Sequence, residues 1–297
     1  MKFDWYQCSI SESPIRALES IRRLGETVKA NDRVGKMYRY TQGFEVLRKN
    51  GSSVAFVAMG GRNGEDHVHA WATSDDAEDF ASLVREEWPE QHLVTRADSC
   101  QDFVDPGAFK LLTKVARKIA KNNRMKFPKI EDSLNLTAGK TQYIGSPSSD
   151  YRARIYEKGW ELWAKLNPRI RDIINPDNVS MEVPSLGRDC HPADWVRLEI
   201  QARPKGIDAR KKASTASPEE IWTFTSWSAE YVREALALDL ERYYVRARKE
   251  PDGDRALRFM CQQYARVLTA LKNDLGGWEC VGMTIGEMIK ADELKRK

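Results

Sequence analysis

One segment, Gly139 to Gly159 (GKTQYIGSPSSDYRARIYEKG), constrains the fold more tightly than any other. Two short runs of strand character, Thr141 to Gly145 and Tyr151 to Lys158, flank a Ser/Pro-rich turn from Ser146 to Asp150, an arrangement that predicts a β-hairpin. Side chains alternate along a strand, so Arg152, Arg154, Tyr156 and Lys158 share one face, while Tyr151, Ala153, Ile155 and Glu157 share the other. One tyrosine therefore stands among three cations. Taken alone, such a face is either the solvated side of an antiparallel sheet, with Tyr156 an ordinary β-former, or a phenol with charge arranged around it.

At 297 residues, 41% hydrophobic and 31% charged, the chain is long enough for a sizeable core and two domains. A net charge of +4 permits a polyanionic partner without requiring one. The five cysteines (Cys8, Cys100, Cys190, Cys261, Cys280) are odd in number and scattered, which argues against a disulfide framework or a zinc ribbon and for a reducing cytoplasm. The opening MKFDWYQCSISESP lacks the apolar core of a signal peptide, and no run approaches the roughly 18 apolar residues of a membrane span. Export and membrane insertion are not expected.

Along the chain, Ser13-Pro14 caps a helix striped with Leu18, Ile21, Leu24 and Val28. Lys36 to Lys49 and Ser52 to Met59 read as strands joined through Asn50-Gly51, a strong hairpin signal. His67 to Ala72 follows as a strand, then a helix from Ser74 carrying Phe80, Leu83, Val84 and Trp88. His92 to Phe103 is extended and ends at Asp105-Pro106, which opens a helix with Phe109, Leu112, Val115, Ala116 and Ile119 inward. After the hairpin come a helix with a break at Pro168, a polar stretch to Pro192, and a strand from Trp195 to Arg203. Lys205 to Ser217 reads as a short helix or linker ending at a boundary, and Ser217-Pro218-Glu219-Glu220 is a capping box. Beyond it the pattern is helical: Leu257, Met260, Cys261, Tyr264, Val267, Leu268, Leu271 and Leu275 form a stripe expected in the core, and Thr284 to Glu287 caps a last short helix. This order predicts an α+β fold with a mostly antiparallel, curved sheet in two β/α halves, divided as residues 1–214 and a helical part, 215–297.

Three strands carry the chemistry. Even spacing puts Arg96, Asp98 and Asp102 on one face of Val94 to Asp102, and Arg197, Glu199 and Gln201 on one face of Trp195 to Arg203. If these faces adjoin the hairpin, carboxylates stand near Tyr156 with arginines around them. One to three carboxylates suit Mg²⁺ or Mn²⁺, which polarises a phosphodiester. Nearby cations should favour the phenolate of Tyr156, whose attack would give a phosphotyrosyl protein and a free 3′-hydroxyl. The competing account is a lattice of cross-strand ion pairs in which Asp98 and Glu199 pair with Arg96 and Arg197. Spacing leaves both open.

The blocks VTRADSCQD, TQYIGSPSSDYRARIYEKG and WVRLEIQAR, in this order, resemble the replication-initiation factor family (Rep_trans) of rolling-circle plasmid and filamentous phage initiators, and FDWYQCSI resembles the start of its phage members. The resemblance spans roughly residues 1 to 204. It implies an endonuclease using Mg²⁺ or Mn²⁺ that nicks one strand at a locally melted double-strand origin, stays joined through tyrosine, and hands a 3′-end to a polymerase. By position it implies Tyr156 as nucleophile, with Arg154 and Lys158 beside it, and Asp98 and Glu199 as metal ligands, with Asp102 on the same face as a further candidate ligand. Arg152, Arg197 and Arg96 would face DNA. The insertion from Asn167 to Asp194 limits transfer beyond these motifs.

Other signals carry less. His67 and His69 have a histidine, hydrophobic, histidine spacing by which a different class of nickase binds metal. Gly139, Lys140 and Thr141 are no phosphate loop, because Leu134 stands where its first glycine is needed. Cys100 and Cys190 are expected to be buried or idle. The basic run Lys114, Arg117, Lys118, Lys121, Arg124 and Lys126 reads equally as a phosphate grip, with Lys118 and Lys121 as DNA contacts, or as a solvated helix face; Lys205, Arg210, Lys211 and Lys212 share that ambiguity. Trp222, Trp227, Tyr231, Tyr243 and Tyr244 in the tail are open to three uses: binding the origin, forming a homodimer or recruiting a helicase. A non-catalytic DNA-binding regulator is the alternative from another functional class.

Overall fold

The computed structural model describes residues 1–37, 39–61, 67–166, 175–184, 187–237, 257, 260–261 and 263–295. The chain forms two compact units, Met1–Arg246 and Ala247–Lys297. The first is an α+β unit around a ten-stranded sheet in which every ladder is antiparallel. Its strands are β1 (Lys2–Ile10), β2 (Thr27–Ala30), β3 (Gln42–Leu47), β4 (Ser53–Met59), β5 (Val68–Thr73), β6 (His92–Val104), β7 (Lys129–Glu131), β8 (Lys140–Ile144), β9 (Tyr151–Glu157) and β12 (Trp195–Ala202), with β10 (Met181–Val183) and β11 (Arg188–Cys190) forming a separate two-stranded sheet. The helices of this unit are α1 (Pro14–Arg22), α2 (Asp32–Met37), α3 (Asp76–Glu87), α4 (Ala108–Asn122), α5 (Lys158–Leu166), α6 (Ile207–Thr215), α7 (Pro218–Ile221) and α8 (Ser226–Leu236).

The strand order β2-β3-β4-β5-β1-β6-β12-β9-β8-β7 reads as two five-stranded halves meeting at β1 and β6. Each half starts with its central strand, crosses through a helix to the edge, returns inward strand by strand and closes with a second helix: β1, α1, β2 to β5, α3 in one, and β6, α4, β7 to β9, β12, α6 in the other. The two β/α halves expected from element order are thus present as topology.

Alternation decides the layers. Tyr6, Cys8, Ile10, Ala97, Ala153, Ile155, Leu198 and Ile200 point to one face and are buried under helices whose apolar stripes include Ala17 and Ile21, Phe80 and Val84, and Leu112, Ala116 and Ile119. The opposite face is polar over β6, β12 and β9; over β3 to β5 it is closed by α2, where Val34, Tyr40, Ala58 and Trp71 form a small cluster. At the hairpin that joins β8 to β9, Gly145 takes φ +100°, and a Cβ there would lie 3.3 Å from Arg152 Cβ, so the turn excludes larger residues.

Several boundaries differ from the sequence expectation. The strand expected from Lys36 begins only at Gln42, because Asp32–Met37 is helical, with the Asn31 carboxamide oxygen accepting from the Arg33 N–H at 3.0 Å. The polar stretch before Pro192 contains β10 and β11, whose Met181 and Val183 pack with Trp160, Trp163 and Trp195 in a second apolar cluster. The expected break at Pro168 lies outside the described residues.

The capping box is formed as expected: Ser217 Oγ accepts from the Glu220 N–H, and the Glu220 carboxylate accepts from the Ser217 N–H. The segment it opens belongs to the first unit, which extends well past residue 214. Trp222 and Tyr231 are fully buried in the main core; Trp222 Nε1 donates to Ser99 Oγ at 3.1 Å and the Tyr231 hydroxyl to the Leu112 carbonyl at 3.2 Å. Trp222, Trp227 and Tyr231 are therefore core residues, whereas Tyr243 and Tyr244 lie outside the described residues.

In the second unit, α9 (Ala265–Leu275) packs against α10 (Trp278–Lys295), and Gly276 ends α9 in the left-handed conformation with φ +86°. The stripe expected in the core is exposed at Leu257, Tyr264, Val267 and Leu275. Thr284 caps nothing: it lies inside α10, where its hydroxyl donates to the Cys280 carbonyl. No helix among the described residues is long and apolar enough to cross a membrane.

Candidate active site

Strands β6, β12 and β9 are neighbours, so the three polar faces adjoin. Opposite one another stand Asp102, Arg197 and Tyr156 in one row, Cys100, Glu199 and Arg154 in the next, and Asp98, Gln201 and Arg152 in the third. Asp98 and Glu199 are thereby diagonal neighbours on adjacent strands, and both are buried, at 1% exposure. Tyr156 is 6% exposed, and its hydroxyl donates to Glu199 Oε2 at 3.4 Å. The same oxygen accepts from Arg154 Nη2 at 2.8 Å, and the Arg154 guanidinium lies over the Tyr156 ring, 4.7 Å from its centroid. Arg154 Nε has no hydrogen-bond partner, a buried donor left without an acceptor. Lys158 is the first residue of α5, not the last of the strand; its Nζ is 5.8 Å from the Tyr156 ring centroid and donates to Glu161 at 3.0 Å.

Asp98 sits at the centre of a relay of side chains. Arg96 grips it with Nε at 3.0 and 3.1 Å and with Nη2, and lies 3.9 Å above the Trp5 ring. Gln201 Nε2 donates to Asp98 Oδ2 at 3.3 Å, while Gln201 Oε1 accepts from Arg152 Nε at 3.0 Å. Of the two accounts open on spacing, the ion-pair lattice is present: Asp98 pairs with Arg96 as expected, whereas Glu199 pairs with Arg154, and Arg197 with Asp102 and Asp4.

Arg197 binds Asp102 through Nε at 2.6 Å and Nη2 at 2.7 Å, and Asp4 through Nη1 at 2.6 Å. At 5% exposure it is an internal brace and not the DNA contact the sequence suggests. Both Asp102 carboxylate oxygens are engaged by this bidentate pairing. Among the described residues no group of three or more His, Cys, Asp or Glu side chains is placed to hold a metal; Asp98 and Glu199 are the two fully buried carboxylates of the candidate set. Asp4 has no sequence signature, because it reaches the site through a β-bulge between Phe3 and Trp5.

The electrostatics overturn one expectation. Burial, and after it the Glu199 carboxylate, push the Tyr156 phenol well above its ordinary pKa, outweighing the pull of Arg154 and Arg197. The tyrosine is therefore held as the neutral phenol. Glu199 is itself pushed up to about 7 by burial and then by the Asp98 charge, against the pull of Arg154. Two buried carboxylates, Asp98 held by Arg96 and Glu199 by Arg154, form an oxygen donor set suited to a hard divalent cation.

The remaining candidates are spread out. His69 lies on the same face but at β5, 6% exposed, with its Nε2 2.9 Å from Gln7 Nε2; among the described residues it joins no group of three or more metal-ligating side chains. Cys100 is buried between the site rows, and burial pushes its thiol up to about 12, so it is inert at neutral pH; Cys190 is partly buried. Lys118 and Lys121 are on α4, which packs on the apolar side of the sheet, and Lys118 is paired with Glu234 at 2.8 Å. They share no surface with Tyr156.

No protein-family profile and no curated protein matches the sequence. Among solved structures, the chain is similar in fold to the rolling circle replication initiator protein from Geobacillus stearothermophilus, with 20% identity and a TM-score of 0.50 over 82% of this chain and 98% of that one.

Proposed function

We propose that this chain is a rolling-circle DNA replication initiator that nicks one strand at its origin through Tyr156. The observation that carries this is the hydrogen bond from the Tyr156 hydroxyl to Glu199, beside Asp98 and Arg154 on the polar face of the sheet. The fold shared with a protein described as a rolling circle replication initiator supports it.

In the reaction, Tyr156 Oη bonds to the scissile phosphorus and passes its proton to Glu199, while the bond from phosphorus to the 3′-oxygen breaks and that oxygen takes up a proton from solvent to become the free 3′-hydroxyl. Because the resting phenol is neutral, attack needs proton removal as the bond forms, and Glu199 Oε2 is the acceptor already in place. Arg154 Nε is a free donor for a phosphate oxygen, while Nη2 keeps Glu199 oriented. Asp98 and Glu199 would hold Mg²⁺ or Mn²⁺, which supplies Lewis-acid stabilisation of the charge growing on the phosphate. Arg96 and Gln201 hold the Asp98 carboxylate from two sides. The phosphotyrosyl bond conserves the energy of the broken one, so a second strand transfer can reverse it without a nucleotide.

The test uses a supercoiled plasmid carrying the replicon that encodes the chain. With Mg²⁺ or Mn²⁺ the expected products are nicked circles and protein joined covalently to DNA. Nicked circles formed equally by a Tyr156→Phe variant would exclude tyrosine chemistry.

A further inference from the structure

Helix α4 carries Lys110, Lys114, Arg117 and Lys121 at steps of four, three and four residues, which places them along a single stripe, and Arg124 extends the series just past the helix end. All five are exposed, and among the described residues none has an ion-pair partner; the neighbouring Lys118 is the one that pairs with Glu234. The opposite stripe of the helix, with Leu112, Ala116 and Ile119, is sealed into the core. That core lies on the face of the sheet opposite to Tyr156 and Glu199, because Ile155, Leu198 and Ile200 alternate with the site residues.

We propose that this stripe binds the phosphate backbone of a duplex DNA segment distinct from the strand that reaches Tyr156. It rests on the proposed function only in that the partner is DNA. From Lys110 to Lys121 the helix rises about 17 Å, so the four helical cations form a straight, regularly spaced row, which matches a repeating polyphosphate better than the irregular charges of an acidic protein. An anionic membrane is disfavoured, since a surface-lying helix needs a free apolar face and that of α4 is buried apart from Leu111, 63% exposed. The row and the nicking site lie on opposite faces of one sheet, so one straight segment cannot touch both. The protein would hold intact duplex on its helical side while a melted strand occupies the polar side.

The experiment measures binding of the full chain to a short generic duplex, without metal, across a salt series. The comparison is wild type against a triple variant, Lys114→Gln, Arg117→Gln and Lys121→Gln, with thermal melting run in parallel. Removing three phosphate contacts should lower the slope of log affinity against log salt by about 2.7 and weaken binding about tenfold or more at low salt. Melting should be unchanged, since all three side chains are exposed. An unchanged slope would overturn the proposal, as would loss of binding to phosphatidylserine vesicles with duplex binding intact. Covalent adduct formation is read separately: wild type that binds duplex through α4 yet forms no adduct would defeat the nicking mechanism and leave the stripe standing.

Discussion

The Tyr156 hydroxyl donates to Glu199 Oε2 at 3.4 Å across the β9–β12 ladder, and the oxygen it meets is already held by Arg154 Nη2 at 2.8 Å. The proposed nucleophile, proton acceptor and orienting cation are thus positioned by strand register, with no loop involved. Tyr156→Phe removes one hydrogen bond from a ring that otherwise stays packed under Arg154, so stability should change by no more than about 1 kcal/mol. Nicking and the covalent adduct should vanish together. Urea unfolding alongside an adduct assay checks both, and a variant that unfolds would leave the loss of activity without chemical meaning.

Ionising Glu199 beside Asp98 in a buried site costs the apo protein stability, and a divalent cation between them offsets that cost. Mn²⁺ or Mg²⁺ should therefore raise the melting temperature of the wild type, and chelation should reverse the gain. Asp98→Asn and Glu199→Gln should each abolish most of the metal-dependent shift, whereas Asp102→Asn should keep it, because Asp102 belongs to Arg197. An equal loss in all three would restore Asp102 as a ligand.

How legible this was in the sequence depends on which physical signal each feature leaves. The period of two in VTRADSCQD, YRARIYEKG and WVRLEIQAR places Asp98, Glu199 and Tyr156 on definite faces before any fold is known, and turn chemistry marks the β8–β9 hairpin. Alternation does not say what covers a face. Arg197 looks from spacing like its neighbours Arg152 and Arg154, yet Asp4, delivered by a bulge, turns it into a buried brace. Lys118 and Lys121 read from sequence as a phosphate grip or a solvated face with no sign of which side of the sheet they serve; α4 lies on the apolar side, so their surface is not that of Tyr156. The first half of the sheet illustrates the same limit: β1 and β5, counterparts of β6 and β12, present Gln7, His69 and Trp71 where the second half presents carboxylates, with no repeat apparent in sequence.

Residues 215–237 extend the core and are not an appendage. Trp222 fills the space against β6 and bonds to Ser99, and Met1 places its ammonium 3.2 Å from Glu219. Trp222→Ala should cost about 3–5 kcal/mol, the range for emptying a buried aromatic site. A chain ending at residue 214 should therefore fail to melt cooperatively, while one ending at 237 should do so. Cooperative melting of the shorter chain would refute this.

His69 supplies a pH signature that does not depend on the chemistry at Tyr156. Burial, with a smaller contribution from His67, lowers its pKa from 6.5 to about 4. The unfolded chain therefore binds more protons than the folded one between those values, so stability contributed by neutral His69 is complete above about pH 6.5 and is lost as pH falls toward 4. At about 1.4 kcal/mol per unit, the full loss is on the order of 3 kcal/mol. His69→Gln keeps an uncharged partner for Gln7 and cannot titrate, so its unfolding free energy should fall less steeply between pH 6.5 and 4 than that of the wild type. Urea titrations across that window compare the two directly, and parallel curves would mean that His69 takes up its proton without opening the fold.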